Sequence, residues 1–481
     1  MNTYGFRELI FLKIMREVKI MGEKVKVKSL EKEELKRDLK NRHLQMISIG
    51  GAIGTGLFYG ASSAIKAAGP AIILTYVFAG IAIYFIMRAL GELAVAEPVS
   101  GSYVSYANRY ISRYLGFMLG WSKPVIVVAV SAAELNALGK YVHFWFPQFP
   151  IWASALIIVI ILFTVNTIGV KVYGEAEFWL SFIKVTAIAF MVIFGILMIF
   201  FGVGNHGQPV GFGNIVNNGG FFPNGIQGIL VSVSMAAFAY GGVEDLGLAA
   251  GEVEDADKSI PKAINAVFWR ILIFYVGAIV VLVILFPWST MGSSGSPFVE
   301  VFSRIGIPAA ASVINFVVII AAVSTLNASI FVNSRVIYNL ALQKNAPAFL
   351  GKVNNTKVPQ VAVMFIFCMM LVGVVINYLL PEQAFTIFSS IVVFSITTCW
   401  AVILISHLKF RRIKIMNNEV HTIKYLAPFY PYGDYLGLVF LVIVIGCMTL
   451  RSTMRVSFIV AGTYAIIAYI AYKFYTKKES T

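Results

Sequence analysis

Ile49-Gly50-Gly51-Ala52-Ile53-Gly54-Thr55-Gly56-Leu57-Phe58 lies inside an apolar run over residues 44–68. That run is long enough to cross a hydrocarbon core of about 30 Å as a helix of roughly 20 residues. Four glycines within seven residues are poor material for a continuous helix, since each costs roughly 1 kcal/mol against alanine. A membrane segment built this way supplies backbone rather than side chains. It can unwind near mid-membrane, and the N–H and C=O groups it frees must find partners that lipid does not offer. A bound polar solute is one such partner. N–H groups at the start of the resumed half-helix favour a carboxylate, and freed carbonyls favour an ammonium. The alternative is a close-packing face of small residues, as in small-xxx-small helix pairs. From this stretch alone both readings stay open.

Composition decides the class. The 481 residues are 59% hydrophobic and 13% charged, where soluble domains carry roughly 25% charged residues. The chain is an all-α polytopic membrane protein. A net charge of +15 raises the question of nucleic acid, but the basic residues cluster in the tails and alternate loops, which is a topology signal. Residues 1–43 are rich in Lys, Arg and Glu and hold no apolar core of the signal-peptide type. Within them, 6–21 reads either as an interfacial helix or as sequence upstream of the alternative starts Met15 and Met21. Cys368, Cys399 and Cys447 all fall in apolar runs, where they pack as small apolar residues.

Twelve membrane-length runs follow, at about 44–68, 70–96, 116–146, 151–170, 176–202, 225–249, 267–287, 306–342, 358–379, 382–408, 433–450 and 456–475. Arg109 and Arg113, Lys171, then Lys258, Lys262 and Arg270 follow the second, fourth and sixth runs. Lys344, Lys352 and Lys357 follow the eighth, the basic group from Lys409 to Lys424 follows the tenth, and Lys473, Lys477 and Lys478 close the chain. The opposite side has Arg304, Arg451, Arg455 and little else. The expectation is both termini in the cytoplasm.

Five runs after the first glycine-rich stretch, its structural idea returns in Ala236-Ala237-Phe238-Ala239-Tyr240-Gly241-Gly242-Val243-Glu244-Asp245. Glycine-interrupted spans at matching places in two halves point to an inverted-repeat transporter with its site between the breaks. The odd offset inverts the second unit and leaves the last two runs outside the repeat.

Several stretches together resemble the amino acid permeases of the amino acid–polyamine–organocation superfamily, in the bacterial-type branch of aromatic amino acid, proline, GABA and lysine permeases. They include Leu39-Lys40-Asn41-Arg42-His43-Leu44-Gln45, residues 50–58, Met87-Arg88-Ala89-Leu90-Gly91-Glu92-Leu93 and Glu97-Pro98-Val99-Ser100-Gly101-Ser102. Others are Gly174-Glu175-Ala176-Glu177-Phe178-Trp179, residues 240–244, Ser259-Ile260-Pro261-Lys262-Ala263 and Asn333-Ser334-Arg335. The resemblance covers about residues 39–412 and implies a LeuT-like fold of 12 transmembrane helices. In it a 5+5 inverted repeat carries two extra C-terminal helices, and the first and sixth helices are discontinuous. The expected organisation is a cytoplasmic tail over 1–43, a transporter domain over 44–475 and a second cytoplasmic tail over 476–481. The repeats run over about 44–202 and 225–408, with the extra helices over about 433–475. Asp245 departs from the family pattern, which has an apolar residue after Glu244. A carboxylate pair there alters substrate choice or faces the cytoplasmic vestibule.

The breaks nominate the substrate site. N–H groups of Gly54, Thr55 and Gly56, with the Thr55 hydroxyl, are expected to hold a substrate carboxylate. Carbonyls at Ala52, Phe238, Ala239 and Gly241 are expected to hold its ammonium, and Ile53 completes the first break. Glu134 sits mid-span, where a charge costs at least about 2.5 kcal/mol and must face the bundle interior. It reads as a substrate-site or proton-transfer acid, against a structural ion pair or a helix–helix hydrogen bond. Lys184 lies equally deep. A desolvated lysine is able to release and take up protons near neutrality, and the resemblance places it where sodium-coupled relatives bind sodium. Proton coupling is weighed there against snorkelling to the interface. By analogy Glu244 anchors the second break and is a further proton carrier.

Arg88 and Glu92, four residues apart, read as a mutual salt bridge. Glu175 and Glu177 read as capping and gating the cytoplasmic end of the fifth run. Asn327 and Ser329 read as helix–helix hydrogen bonding or site lining. No metal-ligand constellation, cofactor motif or enzyme nucleophile is legible. The expected function is import of amino acids across the plasma membrane by proton symport with alternating access. Exchange, passive facilitation and membrane reception of amino acids are the alternatives. A channel would show a ring of like polar groups along a pore, and a receptor would carry a signalling domain; neither is read here. The implied partners are the amino acid, protons and the bilayer.

Overall fold

The computed structural model describes residues 39–50, 53–99, 101–249, 256–291, 298 and 308–479. Most of the expected N-terminal tail, including 6–21, lies outside these residues, as do Gly51 and Ala52. Everything described is helix, turn or loop apart from an isolated bridge residue at Leu39. Ten helices among the described residues are long and apolar enough to cross a membrane.

The run at 44–68 is divided among α1 (Asn41–Gly50), α2 (Thr55–Phe58) and α3 (Gly60–Ala68). A tight turn over Gly69–Ala71 leads directly into α4 (Ile72–Ala96). Gly69 has φ +62°, and a Cβ there would lie 2.3 Å from Pro223 Cγ, so this corner requires glycine. Three long helices follow: α5 (Arg113–His143), α6 (Ile151–Ile168) and α7 (Val170–Phe201). The run at 225–249 is interrupted between α8 (Gly225–Tyr240) and α9 (Asp245–Ala249). Next, α10 (Ala256–Arg270) joins α11 (Ala278–Leu285) through a π-helical stretch, Ile271–Gly277. The remaining helices are α12 (Pro308–Leu342), α13 (Gln360–Leu379), α14 (Ala384–Met416), the shorter apolar α15 (Tyr432–Met448) and α16 (Val456–Glu479).

Why these segments settle as they do is visible in α7. Its buried residues include Tyr173, Glu177, Ser181, Lys184, Ile188, Met191, Gly195 and Met198, a spacing of three and four that makes one helix face. Its outward residues are large and apolar: Trp179, Phe182, Phe190, Ile193 and Phe200 are all exposed. The polar groups therefore point into the protein and the greasy ones point out. That arrangement suits a helix whose surroundings are hydrocarbon, because a polar group facing lipid finds no partner. The interior is centred on α5, which packs against α6, α12, α13 and α14, while α7 packs against α1 and α12.

One expected pair is not formed. Glu92 receives Nε and Nη2 of Arg411 on α14, both at 2.7 Å, and lies 3.2 Å from His407 Nε2. Arg88 instead donates to Asn265 Oδ1 at 2.6 Å and to the Leu426 carbonyl at 2.7 Å. A carboxylate buried this completely takes a guanidinium from a neighbouring helix, which also supplies the surrounding walls. The half-buried Arg88 finds its partners on α10 and in the segment ahead of α15.

Candidate functional site

The first break leaves Gly54 extended (φ −114°, ψ −163°) ahead of α2, with no side-chain cap from its own segment. The N–H of Thr55 instead donates to Glu134 Oε2 of α5, at 3.4 Å. A helix start in the protein interior is thus met by a carboxylate, as the orphan N–H groups of a helix N-terminus require. Gly54 has no room for a side chain: a Cβ would lie 2.6 Å from Thr325 Oγ1 and 3.1 Å from Glu134 Oε1. At Gly56 a Cβ would meet Ala239 Cα at 2.9 Å. Gly56 is therefore a close-packing glycine, where α2 crosses the end of α8. The interruption of the helix and the close packing thus fall at different residues of the glycine-rich stretch.

The second break is held open by side chains. Gly242 has φ +93°, a conformation that favours glycine, and its N–H donates to Glu244 Oε2 at 3.2 Å. Trp400 Nε1 of α14 donates to the same oxygen at 3.0 Å. Glu244, buried, thus ties the turn to α14.

One cavity joins the two breaks. Gly54, Gly56, Glu134, Phe238, Ala239, Gly241 and Glu244, all nominated from sequence, line it. Ile53 and Thr55 are fully buried beside the cavity, outside its lining, and Ala52 lies outside the described residues. Ser329 and Asp245 also line it, so Asp245 faces the same space as Glu244. The rest of the wall includes Ile126, Val130, Val392 and Ile396, with Thr325 and Asn333 as polar points. Such a space, apolar with a few convergent polar groups and open backbone at two helix breaks, suits a small zwitterion.

Sequence reasoning missed Lys123, a lining residue on α5 that is 3% exposed. Its Nζ sits 4.9 Å from the Tyr103 ring centroid. The rule that singles out Glu134, an ionisable group inside an apolar run, applies equally to Lys123.

Lys184 does not snorkel. It is fully buried, and its Nζ donates to the Ile53 carbonyl at 3.1 Å and to Ser324 Oγ of α12 at 2.8 Å. Ser324 in turn donates to Glu177 Oε1. This corrects the reading of Glu177 as a capping or gating residue: it is fully buried. Its Oε2 accepts from Asn327 Nδ2 at 2.9 Å, and its Oε1 also accepts from Ser181 Oγ at 3.2 Å. Asn166 of α6 donates to Asn327 Oδ1 at 2.8 Å. Glu175, two residues earlier and so on the opposite side of the helix, pairs with Arg42 and His43 of α1. Among the described residues no group of three or more His, Cys, Asp or Glu is placed to hold a metal ion.

The sequence model of the amino acid permease family matches residues 43–480. Relatives include the uncharacterised amino acid permease YtnA of Bacillus subtilis (strain 168), 45% identical over 442 residues, covering 92% of this chain and 95% of the relative. The aromatic amino acid transport protein AroP of Escherichia coli O6:H1 is 41% identical over 449 residues, covering 93% and 97%. The probable threonine/serine transporter YbxG of Bacillus subtilis (strain 168) is 42% identical over 440 residues, covering 92% and 95%. The chain therefore belongs to the amino acid permease family: it is a multi-pass membrane protein of amino acid transport, not an enzyme.

Proposed function

We propose that this permease imports amino acids across the plasma membrane by proton symport, alternating its access around the two interrupted helices. In this reading there are twelve spans, with α1 to α3 as the first and α15 as the eleventh. Two inverted units of five are followed by two further helices, and both termini face the cytoplasm. The substrate lies in the cavity between the breaks, its carboxylate toward Gly54–Thr55–Gly56 and its ammonium toward the carbonyls at Phe238, Ala239 and Gly241. The Thr55 N–H already donates to Glu134, so an arriving carboxylate displaces Glu134 or coincides with its protonation. The names of the relatives span aromatic amino acids and threonine or serine, and neutral amino acids are the first probes to use.

The observation that carries the symport reading is the ammonium of Lys184 on the Ile53 carbonyl and Ser324. A cation fixed there ties α7 to the first break and to α12. A sodium ion in the same space would repel it strongly, because like charges in a low-dielectric site are poorly screened. A charged Lys184 holds the break closed against α7, and loss of its proton weakens that hold. The test uses purified protein in sodium-free proteoliposomes and a panel of labelled amino acids. An inward proton gradient drives accumulation, and Lys184→Ala loses it. A sodium requirement, or a Lys184→Ala variant that still accumulates substrate, defeats the proposal. Equilibration without accumulation marks a facilitator, and uptake only into amino-acid-loaded vesicles marks an exchanger.

A further inference from the structure

We infer that Glu177 is the proton acceptor for Lys184, reached through the Ser324 hydroxyl, and that this relay carries the coupling proton toward the cytoplasm. The inference rests on the symport reading and its topology. Its basis is a directed chain of hydrogen bonds. A serine hydroxyl has one proton to give. Ser324 gives it to Glu177 Oε1 and accepts from Lys184 Nζ at 2.8 Å. The carboxylate is oriented by Ser181 and Asn327. Asn327 is itself oriented, because its Oδ1 accepts from Asn166 Nδ2 and only its amide nitrogen is left for Glu177.

The transfer balances without an outside reagent. The Lys184 ammonium passes a proton to Ser324 Oγ as the Ser324 proton passes to Glu177 Oε1. Ammonium and carboxylate become amine and carboxylic acid. The net charge of the Lys184–Glu177 pair is zero before and after, so the transfer leaves neither partner as a lone buried ion opposite the other, the costly case. The new carboxylic O–H donates back to Ser324, and no heavy atom has to move. What changes is the tether on Ile53, which loses its charge assistance.

The chain also has a direction. Glu177 precedes Lys184 by seven residues, roughly 10 Å along the helix, toward the end of α7 that the proposed topology puts in the cytoplasm. On the cavity side, Glu134 of α5 accepts from the Thr55 N–H, two residues along the chain from the Ile53 carbonyl that Lys184 holds. Lys184 therefore stands between a carboxylate at the substrate and a carboxylate at the exit. Among the described residues, the other helices packed on α7 carry no carboxylate. Arg42 and His43 on α1 are engaged with Glu175, and α6 and α11 carry no Asp, Glu, Lys, Arg or His. On the π-helical stretch the titratable group is Tyr275. Arg335 of α12 lies over the Phe331 ring, two turns beyond Asn327.

The test uses the full-length protein in proteoliposomes loaded with a pH-sensitive dye. A mixture of the L-amino acids is added outside and internal acidification is followed. A radiolabelled mixture measures exchange at equal pH in the same vesicles. Glu177→Gln and Ser324→Ala are each expected to cut amino-acid-elicited proton influx by about tenfold or more while exchange continues. Ser324→Thr, which restores a hydroxyl, keeps both. Wild-type influx in Glu177→Gln or in Ser324→Ala overturns the relay. If Glu177→Gln loses exchange as well, the Ser324 pair decides: influx lost in Ala with exchange intact, and regained in Thr, sustains the relay. Loss of exchange in Ser324→Ala makes the network structural and overturns it. Lys184→Ala separates the two claims. If it keeps proton influx, the symport reading fails; if it loses influx while Glu177→Gln retains it, the relay alone fails.

Discussion

Gly56 and Gly60 are one turn apart and face the same neighbour, yet only one of them is forced to be glycine. A Cβ at Gly56 would meet the Ala239 backbone at 2.9 Å, whereas at Gly60 it would find Phe238 Cδ1 at an ordinary 3.7 Å. Backbone cannot swing aside as a side-chain tip can, so Gly56→Ala must push α2 away from α8. A displacement near 1 Å at a positioned site costs on the order of a hundredfold in rate. Uptake in Gly56→Ala should fall by at least about tenfold, with the protein still inserted and monodisperse, while Gly60→Ala should transport like wild type. Equal uptake in the two variants would show that the approach of the half-helices does not shape the site. This distinction was out of reach from sequence, where both are glycines in an apolar run. Glu134 and Lys184 were legible because an ionisable group at membrane depth is conspicuous in composition alone. Glu177 was misread for the complementary reason: it sits near a run's edge in the sequence, but the face it occupies, and the Asn327 and Asn166 waiting there, come from two other helices.

At the scale of the element, α4, α14 and α15 are joined by a cluster of buried charges. Glu92 holds Arg411 and the Ala427 N–H, the latter at 2.6 Å. His407 bridges from Glu92, at 3.2 Å, to Asp434 of α15, at 2.7 Å. Removing one member of a buried ionic set strands the others, at a cost of about 3–5 kcal/mol. Glu92→Ala should accordingly lower the thermal unfolding midpoint in detergent far more than Arg88→Ala. The Arg88 hydrogen bonds are exposed, and their loss is worth about 1 kcal/mol. Comparable midpoints for the two variants would remove the cluster's claim to hold these helices together. The helical period correctly put Arg88 and Glu92 on neighbouring positions of α4. It could not announce a better partner on α14, since a partner across a helix interface is separated by 319 residues.

For the whole molecule, what was readable in advance is what hydrocarbon imposes. Long apolar runs became helices because every backbone group must be satisfied within its own segment. Their ends fell where Gly, Pro and charged residues gather, as at Gly69 and at Gly202, which has φ +67°. The two interruptions were readable because glycine pairs are costly in a helix, and they coincide with the gaps between α1 and α2 and between α8 and α9. Helix pairing, and with it the cavity wall from α5, α12 and α14, was not readable, because lipid-facing and protein-facing positions are both apolar. Orientation in the membrane is a further whole-molecule property, and the charge distribution supports one choice. Lys344, Lys352 and Lys357 cluster in the connection between α12 and α13, while the connection from α7 to α8 over residues 202–224 carries no Lys or Arg. Basic loops are retained on the cytoplasmic side. A cysteine introduced at Asn217, in an otherwise cysteine-free protein, should therefore react with an impermeant thiol reagent added to intact cells. One introduced at Lys352 should react only after the membrane is opened. The reverse pattern would put α7 upside down, move Glu177 to the outer side of Lys184, and turn the proposed proton relay against the direction of import.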